Sequence, residues 1–299
     1  MIHSDLLIAV LAGLGGMLGW GISEFATKKA VDKIGSISSL VWAHVFGTVL
    51  LFALLTIKIL AHPVPDILHF SVGELIGVIF FGTLQTIVYY FAYTAFEKGK
   101  VSILSPIFAS FAGLVAVGSV LLFGEVVHAG LAVALLVIFG GVLLINTDPE
   151  TLRLRKFRMQ GVPGLREILI ATVLATIWTL GWDKFTADKD WLVYTTLMFV
   201  FMSVSAFLFA YLSNTKLLHM KRGAWGFLWL IAIGEVVAYL AITLGYSTTT
   251  HASVVAIFSG ASSLPTILLA RIFIKEKIST LQMIATFIII VGIILIAIA

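Results

Sequence analysis

The chain has 299 residues, 60% of them from the hydrophobic set and 11% charged, with a mean hydropathy of +1.11 and a formal net charge of +4. Soluble domains are about 45–50% apolar and about 25% charged, so this composition excludes a soluble fold and a disordered chain. The modest positive charge sits in the loops rather than in one basic patch, which speaks against nucleic-acid binding, and with no cysteine there is no disulfide or thiolate metal site.

A membrane span needs about 20 mostly apolar residues to cross roughly 30 Å of hydrocarbon. In chain order, apolar runs between charged or turn-rich breaks predict ten helices, near 5–27, 37–60, 72–96, 101–122, 128–147, 166–187, 191–213, 224–246, 251–273 and 279–298. The first run is too long for a signal-peptide core and lacks a basic leader, so it reads as a retained span. Ten spans use about 200 residues, which leaves short loops and no soluble domain.

The most hydrophilic break, Asp148 to Arg166, divides the chain nearly in half. The expected units are a first five-helix repeat over 1–149, a connecting loop over 150–165 and a second five-helix repeat over 166–299. A shift of about 150–160 residues matches Phe25 to Phe185, Gln85 and Tyr89 to Glu235 and Tyr239, and Ser102 to Ser253. It also matches Glu125 to Glu276, and Gly141, Leu144 and Ile145 to Gly292, Leu295 and Ile296. Five crossings per copy start the second copy on the opposite side of the membrane. The expected fold is therefore all-α, ten transmembrane helices as two inverted five-helix repeats. Secondary transporters share this architecture, with the substrate site near the midplane.

Loops after odd-numbered spans carry most of the basic residues, among them Lys28, Lys29, Lys33, Lys98, Lys100, Arg153, Arg155, Lys216, Lys221, Lys275 and Lys277. Loops after even-numbered spans carry Lys58, Lys184 and Lys189, the last two beside Asp183, Asp188 and Asp190. The positive-inside rule puts the basic loops in the cytoplasm and both termini outside.

Three stretches carry a family resemblance: LGWGISEFATKKA (18–30), GKVSILSPIFASFAGLVAVGSVLLFGE (99–125) and FIKEKISTLQMIATFIIIVGIILI (273–296). On these the chain resembles a ten-span member of the drug/metabolite transporter superfamily, built from two EamA-type repeats, over essentially its whole length. The resemblance implies a proline-bearing fourth span ending in Gly-Glu and a glycine-containing fifth, here Pro106, Gly124, Glu125, Gly140 and Gly141, then Glu276 and Gly292. The second copy departs from it: Lys275 stands where glycine precedes the glutamate, and Pro265 sits later in its span than Pro106. The resemblance implies cytoplasmic termini, against the charge count.

Charge at membrane depth costs roughly 2.5–3.5 kcal/mol on insertion scales and faces a cavity or a partner. Glu235, halfway along the eighth span, is the outstanding case: a carboxylate for a cationic substrate group or a coupling proton, or else a protonated hydrogen-bonding group between helices. Tyr239 lies one turn on, with Gln85 and Tyr89 as its counterparts in the third span. These side chains could line opposite walls of one cavity and orient a polar substrate, or pack. Tyr93 and Tyr246, nearer the helix ends, read as anchors or packing. His44 could pair with Glu235 and shuttle protons, or bond a neighbouring helix. Trp178 reads as a cavity wall, while Trp20 and Trp182 read as interface tryptophans. Pro106 and Pro265 are expected to act as hinges or static kinks. Glu125 reads as a cap or ion pair at a helix end.

The expected function is secondary active transport of a small polar metabolite by alternating access, coupled to protons. The resemblance implies an amino acid or related compound, and efflux. A membrane-embedded enzyme and a non-transporting receptor or scaffold are the alternatives. The loops show no catalytic constellation, so no enzyme is expected, and the chain has no phosphate-binding loop. The expected partners are the lipid bilayer, a small-molecule substrate and protons, with no nucleic acid, cofactor or metal, as a monomer or homodimer. The expected location is a prokaryotic cell membrane, as a multi-pass integral protein.

Overall fold

The computed structural model describes residues 4–61, 70–98, 104, 107–147, 163–217, 222–275 and 279–298. Among them the regular structure is helical: α1 Ser4–Ile34, α2 Ser36–Ala61, α3 Val72–Lys98, α4 Phe111–Phe123, α5 Ala129–Ile145, α6 Leu165–Thr186, α7 Trp191–Leu212, α8 Trp225–Thr248, α9 Ala252–Ser259, α10 Ser263–Leu269 and α11 Thr280–Ile298. Seven stretches are long and apolar enough to cross a membrane: Ser4–Ile34, Ser36–Ala61, Val72–Ala95, Leu165–Thr186, Trp191–Leu212, Trp225–Thr248 and Ala252–Phe273. Three more, Ile107–Phe123, Ala129–Ile145 and Thr280–Leu295, are apolar but shorter. Every expected span position therefore holds an apolar helix, but only seven of them reach spanning length among the described residues. Pro106 and Glu276 lie outside those residues.

The first helix is longer than expected. It runs through Lys28, Lys29 and Lys33 and stops at Gly35, whose φ of 81° is left-handed. Lysine is a good helix former and sits well near a helix C-terminus; glycine without a Cβ ends the helix at no steric cost. Other ends are set by side chains. Glu74 Oε2 accepts from Ser71 N at 2.9 Å and Ser71 Oγ accepts from Glu74 N at 3.2 Å, a reciprocal cap that starts α3. Asp190 caps α7 by accepting from Leu192 N and Val193 N.

Each helix of the first half lies antiparallel against one of the second. α1 packs on α8, α2 on α7, α3 on α6, α4 on α9 and α5 on α11. Lipid tails are as apolar as leucine, so close packing and interhelical hydrogen bonds hold membrane helices together. At the α1–α8 crossing a side chain on Gly19 would meet Gly234 O and Ala238 N, and one on Gly234 would meet Gly19 O and Ser23 N. The two backbones touch there. The α5–α11 crossing is reciprocal in the same way: Gly141 abuts Ile289 and Ala285, and Gly292 abuts Ile138 and Ala134. Hydroxyl pairs fasten α7 to its neighbours, Thr48–Ser203 at 3.0 Å and Thr83–Ser205 at 3.1 Å. Such bonds contribute about 0.6 kcal/mol each on average.

One end of the bundle gathers Asp5, Lys58, Glu125, Asp190 and His251. His251 Nε2 lies 3.3 Å from Asp5, Lys58 pairs with Asp190, and Glu125 accepts from Ser253 N at 3.0 Å and from Ser253 Oγ. Burial raises the Glu125 carboxyl above the usual carboxylate range; the Ser253 bonds and the nearby His251 and Lys184 pull the other way. At the other end Lys98 reaches Glu167 at 2.7 Å.

The stretch 252–274 is broken. Gly260–Ser262 form a 3-10 turn in which Ala261 has φ −81° and ψ 16°, and Pro265 follows in α10. Proline has no N–H to donate four residues back, and its ring crowds that carbonyl.

Candidate functional site

The α1–α8 backbone contact brings Ser23 beside Glu235, with Ser23 Oγ 3.5 Å from Glu235 Oε1. Glu235 is 2% exposed and His44, from α2, is 1% exposed; His44 Nε2 lies 3.5 Å from Glu235 Oε2. His44 Nδ1 is 2.7 Å from Leu40 O. A carbonyl only accepts, so Nδ1 carries the proton and a neutral ring turns its Nε2 lone pair toward the carboxylate. This pair can hold one proton between an oxygen and a nitrogen.

One turn along α8, Tyr239 Oη accepts from the Gln85 side-chain amide at 2.7 Å and meets Tyr89 Oη at 2.9 Å. Aromatic rings surround Tyr239 edge-on: Trp20 at 5.7 Å, Phe199 at 5.3 Å and Trp178 at 5.8 Å between centroids. Such pairs contribute about 0.5–1.5 kcal/mol beyond the area they bury, so Tyr239 is firmly held. Trp178 stacks on Trp182 and donates from Nε1 to Phe81 O at 3.0 Å.

The structure thus brings together Glu235, Tyr239, Gln85, Tyr89, His44 and Trp178 from α2, α3, α6 and α8. Pro265 packs against Gly21 of α1. Pro106 cannot be placed, since it lies outside the described residues. Two tryptophans depart from the interface reading. Trp182 is fully buried and donates to Thr243 Oγ1 at 3.0 Å, and Trp20 sits on Tyr239. Trp20 is central because α1 continues past residue 27 to Ile34.

Among the described residues four buried polar atoms here make no hydrogen bond: Gln85 Oε1, Trp20 Nε1, and Glu235 Oε2 and His44 Nε2, which face each other at 3.5 Å. Buried polar atoms are satisfied in the large majority of cases, so four without a hydrogen bond around one tyrosine set this cluster apart. Exposure rises along one route away from it. Tyr89 and Tyr93 are partly exposed, Tyr93 shares a hydrogen bond with Thr27, and Glu24 is exposed. The opposite side is shut by Trp182, Thr243 and Tyr246, all buried.

Sequence reasoning passed over Glu24, Ser23 and Phe199 and read Trp20 as an interface tryptophan. Trp20, Thr27 and Glu24 fall within roughly 60° of arc on α1, a cluster that the spacing in the sequence does contain. Among the described residues no group of three or more His, Asp or Glu could hold a metal ion.

Comparison with known proteins gives one family and a fold. The profile of the EamA-like transporter family matches residues 7–147 and again 163–298. No curated protein matches the chain in sequence. One solved crystal structure superposes with a TM-score of 0.75 at 14% identity, covering 97% of this chain and 97% of that one. At that identity the likeness shows the shared fold.

Proposed function

Since the chain belongs to the EamA-like transporter family, and so is a membrane transporter of small molecules, we propose that it is a secondary carrier with its substrate site around Glu235 and Tyr239. In this reading all ten apolar helices cross the bilayer, as two inverted repeats that rock about that site. The helix pairing supports it. A twofold axis in the membrane plane exchanges the first helix with the sixth and the third with the eighth; it turns the α1–α8 pair into the α6–α3 pair and leaves the other three pairs unchanged. Gly141 with Ile289 and Gly292 with Ile138 obey the same exchange.

The substrate is a small polar metabolite, an amino acid or related compound. The observation that carries this is the set of unpartnered buried polar atoms at the repeat junction, ringed by aromatic side chains. The Glu235–His44 pair supports proton coupling, because a single proton can reside on either partner. Gln85, Tyr89 and Tyr239 orient the substrate, and Trp178 backs Tyr239. The broken helix at Gly260–Ser262, with Pro265 after it, and Pro106 in the first repeat, serve as hinges. The pocket's route of rising exposure leads toward the end bearing Lys98, which the loop-charge rule puts in the cytoplasm. A pocket filled from that side suits export, with both termini outside.

Solute counterflow in proteoliposomes tests the reading. Vesicles preloaded with a pool of unlabelled amino acids and amines are expected to accumulate a labelled member transiently, and Tyr239→Phe with Gln85→Ala to abolish this. Absence of accumulation for every pool member would overturn it.

A further inference from the structure

The unpartnered atoms are unevenly divided. Once the shared proton has left the Glu235–His44 pair, Glu235 Oε2 accepts hydrogen bonds, as does Gln85 Oε1, and His44 Nε2 accepts in the tautomer fixed by Leu40 O; Trp20 Nε1 donates. Three of these four atoms then accept and one donates, so a ligand rich in donors fits them. Around these acceptors stand the rings of Tyr239, Trp20, Phe199 and Tyr89, which attract a cation through their faces. Among the described residues none of these contacts involves a lysine or arginine that could pair with a substrate carboxylate.

A second carboxylate lies on the open route. Glu24 Oε1 accepts from Ser262 Oγ at 2.8 Å and Glu24 Oε2 from Thr266 Oγ1 at 3.1 Å. Both hydroxyls belong to the break in the stretch 252–274, and Thr266 Oγ1 also reaches Gly21 O at 3.1 Å. Glu24 is nevertheless exposed, and each of its oxygens accepts one of these bonds and keeps a further lone pair. A charged side chain in this position faces water or a polar ligand, since lipid would penalise it.

We infer that the transported solute carries a primary ammonium group without a carboxylate, and that Glu24 receives this group from the open side before Glu235 binds it in the pocket. This rests on the carrier reading and narrows its substrate class from amino acids to the corresponding amines. An ammonium offers three donors and one positive charge, which matches the acceptors at Glu235, His44 and Gln85. A zwitterion would bring an anionic group into a donor-poor, aromatic-lined space, where an unpaired charge is costly.

Calorimetric titration of the purified protein tests this with three matched pairs: isopentylamine and leucine, phenethylamine and phenylalanine, cadaverine and lysine. The expected result is binding of at least one amine, about tenfold or more tighter than its amino acid. Glu24→Gln is expected to weaken the amine by about tenfold, with Glu24→Asp keeping most of the affinity and both variants eluting as the parent protein does. Failure of every amine to bind, equal binding of amine and amino acid, or an unchanged affinity in Glu24→Gln would overturn the inference. The carrier reading is separable. Counterflow of amino acids without amine preference would leave it standing and sink this one. Amine binding without counterflow of any solute would sink the carrier reading and leave only an amine-binding site.

Discussion

The hydroxyls of Tyr89 and Tyr239 meet at 2.9 Å, and the two residues hold the same place in the two halves, four residues after Gln85 and Glu235 respectively. Equivalent residues can touch each other only near the axis that relates their repeats. The roles are nonetheless unequal, because Tyr239 alone also accepts from the Gln85 amide. Tyr239→Phe strands two buried groups and is expected to lower thermal stability by about 1–2 kcal/mol. Tyr89→Phe removes one membrane hydrogen bond and should cost about 0.6 kcal/mol. Melting of the two variants in one detergent compares them; equal losses would contradict the network.

The outline of the fold was legible in the sequence because lipid forces long apolar runs, and ten such runs stand out. Glu235, Gln85, Tyr89 and Tyr239 were legible because polar groups at midspan are rare and recur at the repeat offset. Trp20 and Glu24 were hidden by a misplaced helix end: three lysines looked like a loop, although lysine continues a helix well. With α1 running on to Ile34, Trp20 moves from the rim to the centre. The break at Gly260–Ser262 was also hidden, since Pro265 marks it from several residues downstream. No periodicity in the sequence reports that Gly19 and Gly234 let two backbones touch and so deliver Ser23 to Glu235.

Glycine substitutions probe the paired halves. Gly141→Val and Gly292→Val each drive a side chain into backbone of the opposing helix, at Ile289 and Ile138 respectively. Both are expected to destabilise by about 1–3 kcal/mol. Gly140→Ala meets open space and should be neutral or slightly stabilising, since alanine is the better helix former. Detergent-resistance melts of the three variants decide it, and a sharp difference between Gly141→Val and Gly292→Val would count against the reciprocal crossing.

The two central tryptophans separate packing from binding. Trp182 donates to Thr243, so Trp182→Phe strands a buried hydroxyl and is expected to cost about 1 kcal/mol. Trp20 has an unpartnered Nε1 beside Tyr239. Trp20→Phe keeps a smaller aromatic ring and loses the donor without stranding an acceptor, so its stability loss should be smaller than that of Trp182→Phe while the KM for transport rises. A stability loss in Trp20→Phe as large as that in Trp182→Phe would remove Trp20 from the site.

At the terminus-bearing end, Glu125 supplies a pH dependence of known sign. Burial raises its carboxyl in the folded state above the ordinary 4.5. The folded protein therefore binds this proton more tightly than the unfolded chain does. The stabilisation is fully present below the ordinary value and fades as pH rises through the folded one. Glu125→Gln keeps an acceptor for Ser253 and removes the titration. Its melting temperature is expected to vary less with pH than that of the parent protein above pH 4.5. Parallel profiles would show that Glu125 is not the group responsible.

In the proposed carrier Glu235, paired with His44 at 3.5 Å, couples transport to protons. Counterflow and gradient-driven uptake of one substrate in proteoliposomes, for the parent protein and Glu235→Gln, test it most directly. An imposed pH gradient is expected to drive accumulation in the parent protein, and Glu235→Gln to lose this response entirely. Gradient-driven accumulation that survives in Glu235→Gln would contradict it.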